Sequence, residues 1–149
     1  MNTDDIENIL CNDIYTRPLF AGCFPSDALD KLGQVDHPSA YVFNYDPGHE
    51  PGTHWVAIYF SQEGKGEYLD SYGIPPLIPG FYTFLEKNTV SWRFNDRTLQ
   101  GPHSHVCGHY CVFYMLYRCR GRSMDSVVAM FDDDTNDNDD FVYRFISNL

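Results

Sequence analysis

The run CGHYCVFYMLYRCR, residues 107–120, constrains the fold more than any other part of the chain, because it is apolar around almost its whole circumference. A helix with that pattern has no wide polar face to turn toward water, so it is stable only when other elements surround it. The run therefore predicts a buried helix at the centre of the protein. With 149 residues, the chain suits one compact domain, residues 1–149, built around that helix.

The rest of the chain predicts strands and shorter helices around the central helix. The segments AYVFNY (40–45) and HWVAIYF (54–60) are rich in aromatic and β-branched residues, and a turn-rich stretch separates them, so they predict neighbouring strands. Further strands are predicted at residues 67–70 and 90–94. Shorter helices are predicted at residues 4–10, 26–32, 81–87, 123–130 and up to 146 after the aspartate-rich stretch, with Asp4 or Asp5, Ser26 and Ser123 as N-caps. This order, a helix, then mixed strands, then helices, predicts an α+β fold.

Composition and charge exclude several classes of function. The formal net charge of −11 opposes attraction to phosphate backbones, so nucleic acid is not an expected partner. No stretch reaches the roughly 18 apolar residues that a membrane span needs, and the acidic start MNTDDIENILCND is not a secretory signal. Five cysteines, an odd number, fit a reducing compartment, and we take all five as thiols. The sequence thus predicts a protein that is neither secreted nor bound to a membrane.

The segment QGPHSHVCGHYC, residues 100–111, predicts either a metal site or a reactive thiol. Its alternating side chains would suit zinc if they lay on one face of a strand: His103, His105, Cys107 and His109. However, a glycine-proline pair places the first part in a loop and the apolar helix begins near Cys107, so the side chains would not project in one direction. We therefore predict no metal and no other cofactor, with surface histidines that have no role as the plain alternative.

A catalytic thiol has to be ionised by its surroundings and needs a histidine, which is usually distant in sequence. Cys107 stands where the central helix begins, and the dipole and free amides of a helix N-terminus lower a thiol pKa. His54 begins one predicted strand and Asp70 ends the next, so an antiparallel hairpin brings them together. Asp70 could then hold the His54 ring in one tautomer and stabilise its imidazolium. Gln100, seven residues before Cys107, could donate its amide to an oxyanion together with the Cys107 backbone N–H.

Three segments, GTHWVAIYF, YLDSYG and LQGPHSHVCGHYCVFYM, resemble the His-Trp, acidic and Gln…Cys-Gly boxes of the adenovirus protease (adenain) family, which is related to the SUMO-deconjugating cysteine peptidases. A weaker similarity extends over NILCNDIYTRPLFAGCFP and the final helix. The resemblance implies a cysteine protease fold with a central mixed sheet and a buried helix that carries the nucleophile. It also implies roles: Cys107 as nucleophile, His54 as general base and acid, Asp70 as the group that orients His54, and Gln100 with the Cys107 amide as the oxyanion hole.

The resemblance further implies a narrow substrate channel, since the family prefers glycine next to the cut bond. Trp55 is implied as a wall of that channel, with an ordinary core aromatic as the alternative, and Gly52 is the other predicted substrate-binding residue. The implied activity is that of a cysteine endopeptidase that cleaves after glycine, at Gly-Gly-X or Gly-X-Gly sites, in structural precursor proteins of a virus or virus-like element. Removal of a ubiquitin-like modifier from cellular proteins is the alternative function.

Two departures from adenain limit what the resemblance implies about regulation. Adenain is stimulated by DNA and by a viral peptide, which a disulfide joins to a cysteine upstream of the nucleophile. This chain has no cysteine between Cys23 and Cys107 and is strongly acidic, so we expect any activator peptide to bind non-covalently and DNA to have little effect. We expect a monomer that acts on protein or peptide substrates in the host cytoplasm or nucleus, or in a virion.

Three residues near the site are predicted to have structural roles only. Cys111 lies one helical turn from Cys107 and is predicted to be buried rather than reactive. Tyr72 and Gly73 are predicted to shape the turn after Asp70 rather than to contact the substrate.

Overall fold

A computed structural model describes residues 1–48 and 53–149. Its elements, in chain order, are α1 (Thr3–Asn12), β1 (Phe20–Pro25), a 3₁₀ helix (Ser26–Lys31), β2 (Ser39–Asn44), β3 (Trp55–Phe60), β4 (Lys65–Leu69), α2 (Pro79–Asn88), β5 (Ser91–Phe94), α3 (Cys107–Arg118), α4 (Met124–Val128) and α5 (Thr135–Ser147). One mixed sheet with helices packed against it confirms the α+β prediction. Within the described ranges, no helix combines the length and the apolar character that crossing a membrane requires.

The five strands form one sheet in the order β1-β2-β3-β4-β5. The hairpins β2-β3 and β3-β4 are antiparallel, while the edge strands β1 and β5 run parallel to their neighbours. Strand β3 is buried along its whole length because its side chains alternate between two apolar layers. Its odd-numbered residues, from Trp55 to Tyr59, face the layer around α3. Its even-numbered residues, from Val56 to Phe60, face the layer around α2.

Helix α3 lies against β3 and is enclosed by α1, α4 and α5. Most of its side chains are buried, including Tyr110, Cys111 and Tyr114. The prediction of a central buried helix is therefore confirmed, although the helix ends at Arg118, with Cys119 as its C-cap. Helix α3 also connects the first and last helices to the sheet, because α1 and α5 pack against it while it packs against β3.

Strand β1 is the element that the sequence did not predict. Its sequence FAGCFP contains a glycine and a proline, which disfavour a strand. Pairing with β2 overrides that preference, because β1 is an edge strand and tolerates irregular backbone. Gly22 lies at a break in the register with a φ of 136°, and Pro25 lies at the strand's end, where its missing N–H leaves no gap in the ladder.

The helix N-caps agree only in part with the predictions. Helix α1 is capped by Asn2 rather than by Asp4 or Asp5, because Asn2 and Asp5 exchange side-chain to backbone hydrogen bonds of 2.9 Å in a capping box. Ser26 begins a 3₁₀ helix and makes no cap bond, so that prediction is wrong. Ser123 caps α4 by accepting a backbone N–H at 3.1 Å, as predicted.

Candidate active site

Three of the predicted site residues meet at one end of the sheet. His54 immediately precedes β3, and Asp70 immediately follows β4. The antiparallel register pairs Ala57 with Leu69, so the residues just outside the two strands emerge at the same end. Helix α3 packs along β3, and its first residue, Cys107, reaches the His54 ring. The sheet and the central helix together bring into contact three residues that are distant in sequence.

The His54 ring is held by Asp70. Its Nε2 donates to Asp70 Oδ1 at 3.0 Å, and the Asp70 side chain is completely buried. The same carboxylate oxygen accepts the Tyr72 N–H at 2.8 Å. Asn95, which is also buried, fixes the Asp70 backbone by accepting its N–H (3.0 Å) and donating to its carbonyl (2.7 Å). Asp70 is therefore fixed both at its carboxylate and at its backbone. No pattern in the sequence pointed to Asn95.

The second contact of the His54 ring is a hydrogen bond with the Cys107 side chain. Because Asp70 occupies Nε2, the nitrogen that faces Cys107 is Nδ1. Burial lowers the pKa of His54, but the bonds to Asp70 and Cys107 outweigh burial and raise this pKa to about 9. Burial raises the pKa of Cys107, but His54 and the backbone N–H groups of Trp55 and Gly108 outweigh burial and lower this pKa overall. The two shifts favour a thiolate beside an imidazolium.

Two tyrosines enclose the His54 ring. Tyr72 stacks on it, with ring centroids 5.1 Å apart and planes at 25°, and Tyr45 meets it edge-on at 5.2 Å. Tyr72, predicted only to shape a turn, therefore also packs directly on a site residue. Gly73 does shape that turn, since its φ is +72° and an added Cβ would lie 2.3 Å from the Arg97 backbone. The turn prediction is confirmed for Gly73 and incomplete for Tyr72.

A cleft of about 690 Å³ opens beside Cys107. Its walls are formed by Met1, Thr53, Trp55, Tyr72, Pro102, His103, Ser104, His105 and Gly108. Trp55 is 8% exposed and packs so closely on Gly108 that an added Cβ there would come within 3.3 Å of the indole. Trp55 therefore belongs both to the wall of the cleft and to the core. Gly52, the other predicted substrate-binding residue, lies outside the described residues.

Gln100 lies behind the cleft rather than in its wall. Its side chain is 1% exposed, and its Oε1 accepts the Ser71 hydroxyl at 2.5 Å. Its Nε2 donates to the carbonyl oxygen (3.1 Å) and the Oγ (3.0 Å) of Ser104. Gln100 Nε2 thus bonds Ser104 of the loop before α3 in this structure, and the donation of the Gln100 amide to an oxyanion stays a prediction.

The other histidines and cysteines of the motif have different surroundings. His103 and His105 are exposed in the loop before α3, and His109 packs against Tyr143 of α5, with ring centroids 5.5 Å apart and planes tilted by 33°. Cys111 is fully buried and desolvation raises its pKa well above the usual value, which confirms the prediction of a buried thiol. Among residues 1–48 and 53–149, no group of three or more His, Cys, Asp or Glu side chains is placed to hold a metal ion.

Sequence comparison finds a viral relative. No protein-family model matches the chain. A protein of Acanthamoeba polyphaga mimivirus, named as a candidate thiol protease, is 28% identical over 156 residues, which cover 87% of this chain and 51% of that protein. This chain therefore spans about half the length of the relative.

Solved structures share the fold. The pS273R protease of African swine fever virus (ASFV) matches with a TM-score of 0.73 and 19% identity, over 99% of this chain and 66% of that chain. The SUMO protease Ulp1, in complex with the yeast SUMO ortholog Smt3, matches with a TM-score of 0.62 and 18% identity, over 100% and 75%. The central domain of an uncharacterized Legionella pneumophila protein matches with a TM-score of 0.58 and 13% identity, over 99% and 94%. The chain has the SUMO-peptidase-like cysteine protease fold, which confirms the fold that the resemblance implied.

Proposed function

We propose that the protein is a cysteine endopeptidase in which Cys107 is the nucleophile, His54 the general base and acid, and Asp70 the residue that orients His54. The observation that carries this proposal is the His54 ring, which bonds Asp70 on one side and Cys107 on the other at the edge of an open cleft. A nucleophile, a base and an orienting carboxylate in contact form a catalytic triad. The viral relative and the fold support the same activity.

The proposed reaction begins when the Cys107 thiolate attacks the carbonyl carbon of the substrate. A carbon–sulfur bond forms, and the carbonyl electron pair moves to oxygen. The Cys107 N–H, one of the amides of the first helical turn without a partner inside the helix, donates to that oxyanion. When the oxyanion collapses, the carbon–nitrogen bond breaks and the His54 imidazolium gives its proton to the leaving amine. Water then attacks the thioester carbon while His54 takes its proton, the carbon–sulfur bond breaks to restore the Cys107 thiolate, and the acid product leaves.

The position of Trp55 in the cleft supports cleavage after glycine. Trp55 lines the cleft beside Cys107, and we expect a side chain at the cut residue of the substrate to collide with its indole. We expect Gly-Gly-X or Gly-X-Gly sites in structural precursor proteins of a virus or virus-like element, because the relative by sequence is a mimivirus protein. Removal of a ubiquitin-like modifier is the second candidate, since Ulp1, which shares the fold, was solved with the yeast SUMO ortholog.

A reducing compartment inside a host cell suits this chemistry. All five cysteines are free, and a thiolate nucleophile has to stay reduced to act. The proposal of a monomer with a non-covalently bound activator, and with little response to DNA, rests on the sequence and the net charge of −11.

The proposed function is tested by turnover of fluorogenic peptides of the Leu-Arg-Gly-Gly and Leu-x-Gly-x-Gly types under reducing conditions, with and without EDTA. Wild type and Cys111→Ala should cleave, Cys107→Ala should not, and EDTA should have no effect. Cys111 is a matched control because it is a buried thiol one turn further along the same helix. Turnover by Cys107→Ala would refute the proposal, and so would loss of wild-type turnover in the presence of EDTA. Cleavage of a folded ubiquitin-like fusion but of neither peptide would favour the second candidate.

A further inference from the structure

The backbone on either side of Gln100 is held by other parts of the chain, and the first of these is the turn after Asp70. The Ser71 carbonyl accepts the N–H of Leu99 at 2.9 Å and the N–H of Gln100 at 3.0 Å. The Ser71 hydroxyl donates to Gln100 Oε1 at 2.5 Å. Because only the carbonyl oxygen of an amide can accept such a bond, Ser71 also determines which end of the Gln100 amide carries the hydrogens.

Helix α5 holds the same backbone through two consecutive residues. Asn138, which is 3% exposed, donates from Nδ2 to the Leu99 carbonyl at 3.1 Å. Asp139 accepts the Gly101 N–H, at 3.1 Å to Oδ2 and 3.3 Å to Oδ1. These two backbone groups belong to the two peptide bonds that flank Gln100. Helix α5 therefore fixes the place at which the Gln100 side chain leaves the backbone.

Asp139 is itself held in place. The buried Tyr110 of α3 donates its hydroxyl to Asp139 Oδ1 at 2.7 Å. A Cβ added to Gly101 would lie 2.8 Å from Asp139 Oδ2, so the glycine leaves the space in which the carboxylate reaches the loop backbone. Hydrogen bonds to a carboxylate are also stronger than those between neutral groups. Asp139 thus joins α5 and α3 to the residue next to Gln100.

This arrangement matters for an oxyanion hole because a donor lowers the barrier only when it is fixed in position before the reaction. The Gln100 amide is the side-chain donor that the sequence predicts, and its position depends on the backbone that carries it. A misplacement of about 1 Å, caused by a change far from the reacting atoms, can lower a rate by about 100-fold. A residue that holds this backbone can therefore control the rate without contacting the substrate.

We propose that Asp139 is a positioning residue for the predicted oxyanion hole, and that it acts on the reaction only through Gln100. This proposal rests on the proposed function. Asp139 makes no bond to the substrate and transfers no proton. Its carboxylate holds the Gly101 N–H, and with it the Gln100 side chain, where the amide can donate to the oxyanion beside the Cys107 N–H.

The test measures kcat and KM for a cleaved glycine peptide in Asp139→Ala, Gln100→Ala and the double variant. Gln100→Ala removes one donor and should lower kcat by about 100-fold. Asp139→Ala displaces that donor rather than removing it, so kcat should fall by about tenfold with little change in KM. In the double variant kcat should equal that of Gln100→Ala, because a residue that acts through Gln100 has no effect once Gln100 is gone.

Two further variants separate positioning from folding. Asp140→Ala is the matched control and should keep wild-type kcat, because Asp140 is the next residue of α5 and is exposed. Asp139→Asn keeps a side-chain oxygen that can accept the Gly101 N–H, so it should restore most of the kcat lost in Asp139→Ala. Thermal unfolding of each variant gives the folded fraction, to which kcat is referred.

Three kinetic results would overturn the proposal. Wild-type kcat in Asp139→Ala would mean that Asp139 only stabilises the fold. A tenfold loss in addition to that of Gln100→Ala would mean that Asp139 acts by another route. Wild-type kcat in Gln100→Ala would mean that Gln100 is not the donor through which Asp139 acts.

Alkylation of Cys107 by iodoacetamide, followed by mass spectrometry, distinguishes failure of this proposal from failure of the proposed function. The thiolate displaces iodide at a saturated carbon, so no oxyanion forms and Asp139→Ala should react as fast as wild type. Slow alkylation in Asp139→Ala alone would overturn this proposal, because Asp139 would then act on the thiolate. Slow alkylation of Cys107 in wild type, compared with the exposed Cys11, would instead refute the proposed nucleophile, and this proposal with it.

Discussion

Helix α3 contacts a polar cluster at each end, and the two clusters differ in which groups they leave accessible. At its start, Cys107 meets His54, which is bonded to Asp70. Near its end, Tyr114 and Arg118 meet Glu67 of β4. Both clusters place a carboxylate from the β4 region close to the helix, so the helix and the sheet alone do not decide which cluster is reactive.

The cluster around Glu67 is closed. Glu67 Oε1 accepts the Tyr114 hydroxyl and Arg118 Nε, and Oε2 accepts Arg118 Nη2 at 3.2 Å. The Tyr59 ring covers the guanidinium at 4.3 Å. These charges are paired and covered, so they have no group free to attack or to transfer a proton, and the cluster holds the helix to the sheet.

The cluster around His54 is incomplete by comparison. Asp70 Oδ2 is buried and has no hydrogen-bond partner within the described residues, and Cys107 borders an open cleft. The pKa of His54 is raised to about 9 while that of Cys107 is lowered. Paired charges become chemically useful here if Cys107 is the nucleophile, as we propose, because Cys107 borders a ligand-sized space. The comparison therefore predicts that one cluster controls the rate and the other controls stability.

The largest effect is expected for His54→Ala, which should lower kcat/KM by about 10⁴-fold or more, because the thiol loses its base and the leaving group loses its acid. Peptide turnover measures the loss. His109→Ala is the matched control, since His109 lies on α3 and packs against Tyr143 instead. If kcat/KM fell less than tenfold in His54→Ala, the cluster around His54 would not control the rate, and the comparison would be wrong.

The next effect concerns the closed cluster. Glu67→Ala leaves Arg118 and Tyr114 without their partner. Breaking a fully buried pair costs about 3–5 kcal/mol, and this pair is partly exposed, so we expect a loss of about 3 kcal/mol and a melting temperature lower by about 6–12 °C. The kcat of the folded fraction should not change. Asp125→Ala, which breaks the exposed pair with Arg93, should shift the melting temperature far less. A fall in kcat at temperatures where Glu67→Ala is folded would show that the clusters are coupled.

Sequence patterns predicted how the cluster around His54 comes together, because its residues lie at the ends of regular elements. His54 and Asp70 flank two strands whose alternation was readable, and Cys107 begins a helix that was evident from its apolar run. Register and helix packing then bring these positions into contact without further information. Strand β1 was not predicted because its glycine and proline disfavour a strand, and its pairing with β2 is visible only in the folded structure.

The parts of the site that were not predicted belong to irregular backbone. The side-chain amide of Gln100 turns toward Ser104 because of the path of the loop before α3, which has no periodicity to read. Asn95 reaches Asp70 from just after β5, a contact set by the parallel pairing of an edge strand. Long-range hydrogen bonds of this kind depend on the completed fold, so spacing in the sequence carries no sign of them.

A third prediction concerns pH. The proposed active form has a thiolate at Cys107 and an imidazolium at His54, so kcat/KM should fall when the pH rises through about 9, where His54 loses the proton for the leaving amine. It should fall again at acidic pH as Cys107 is protonated. Asp70→Asn removes the carboxylate that raises the His54 pKa, so its alkaline limb should move to lower pH. Glu67→Ala should keep the wild-type profile, and an unmoved limb in Asp70→Asn would contradict the assigned role of Asp70.

The smallest effect tests whether the aromatic wall belongs to the reactive cluster. Tyr72 stacks on His54 at 5.1 Å, and an aromatic pair is worth about 0.5–1.5 kcal/mol, so Tyr72→Leu should lower kcat by a few-fold to about tenfold as the ring loosens. Tyr72→Phe keeps the stack and should retain wild-type kcat, while Tyr143→Leu removes the ring that packs against His109 and should leave kcat unchanged. Measured kcat values for the three variants decide the point. Equal loss in Tyr72→Phe and Tyr72→Leu would mean that the hydroxyl contacts the substrate, and the reactive cluster would then extend beyond the His54 ring into the cleft wall.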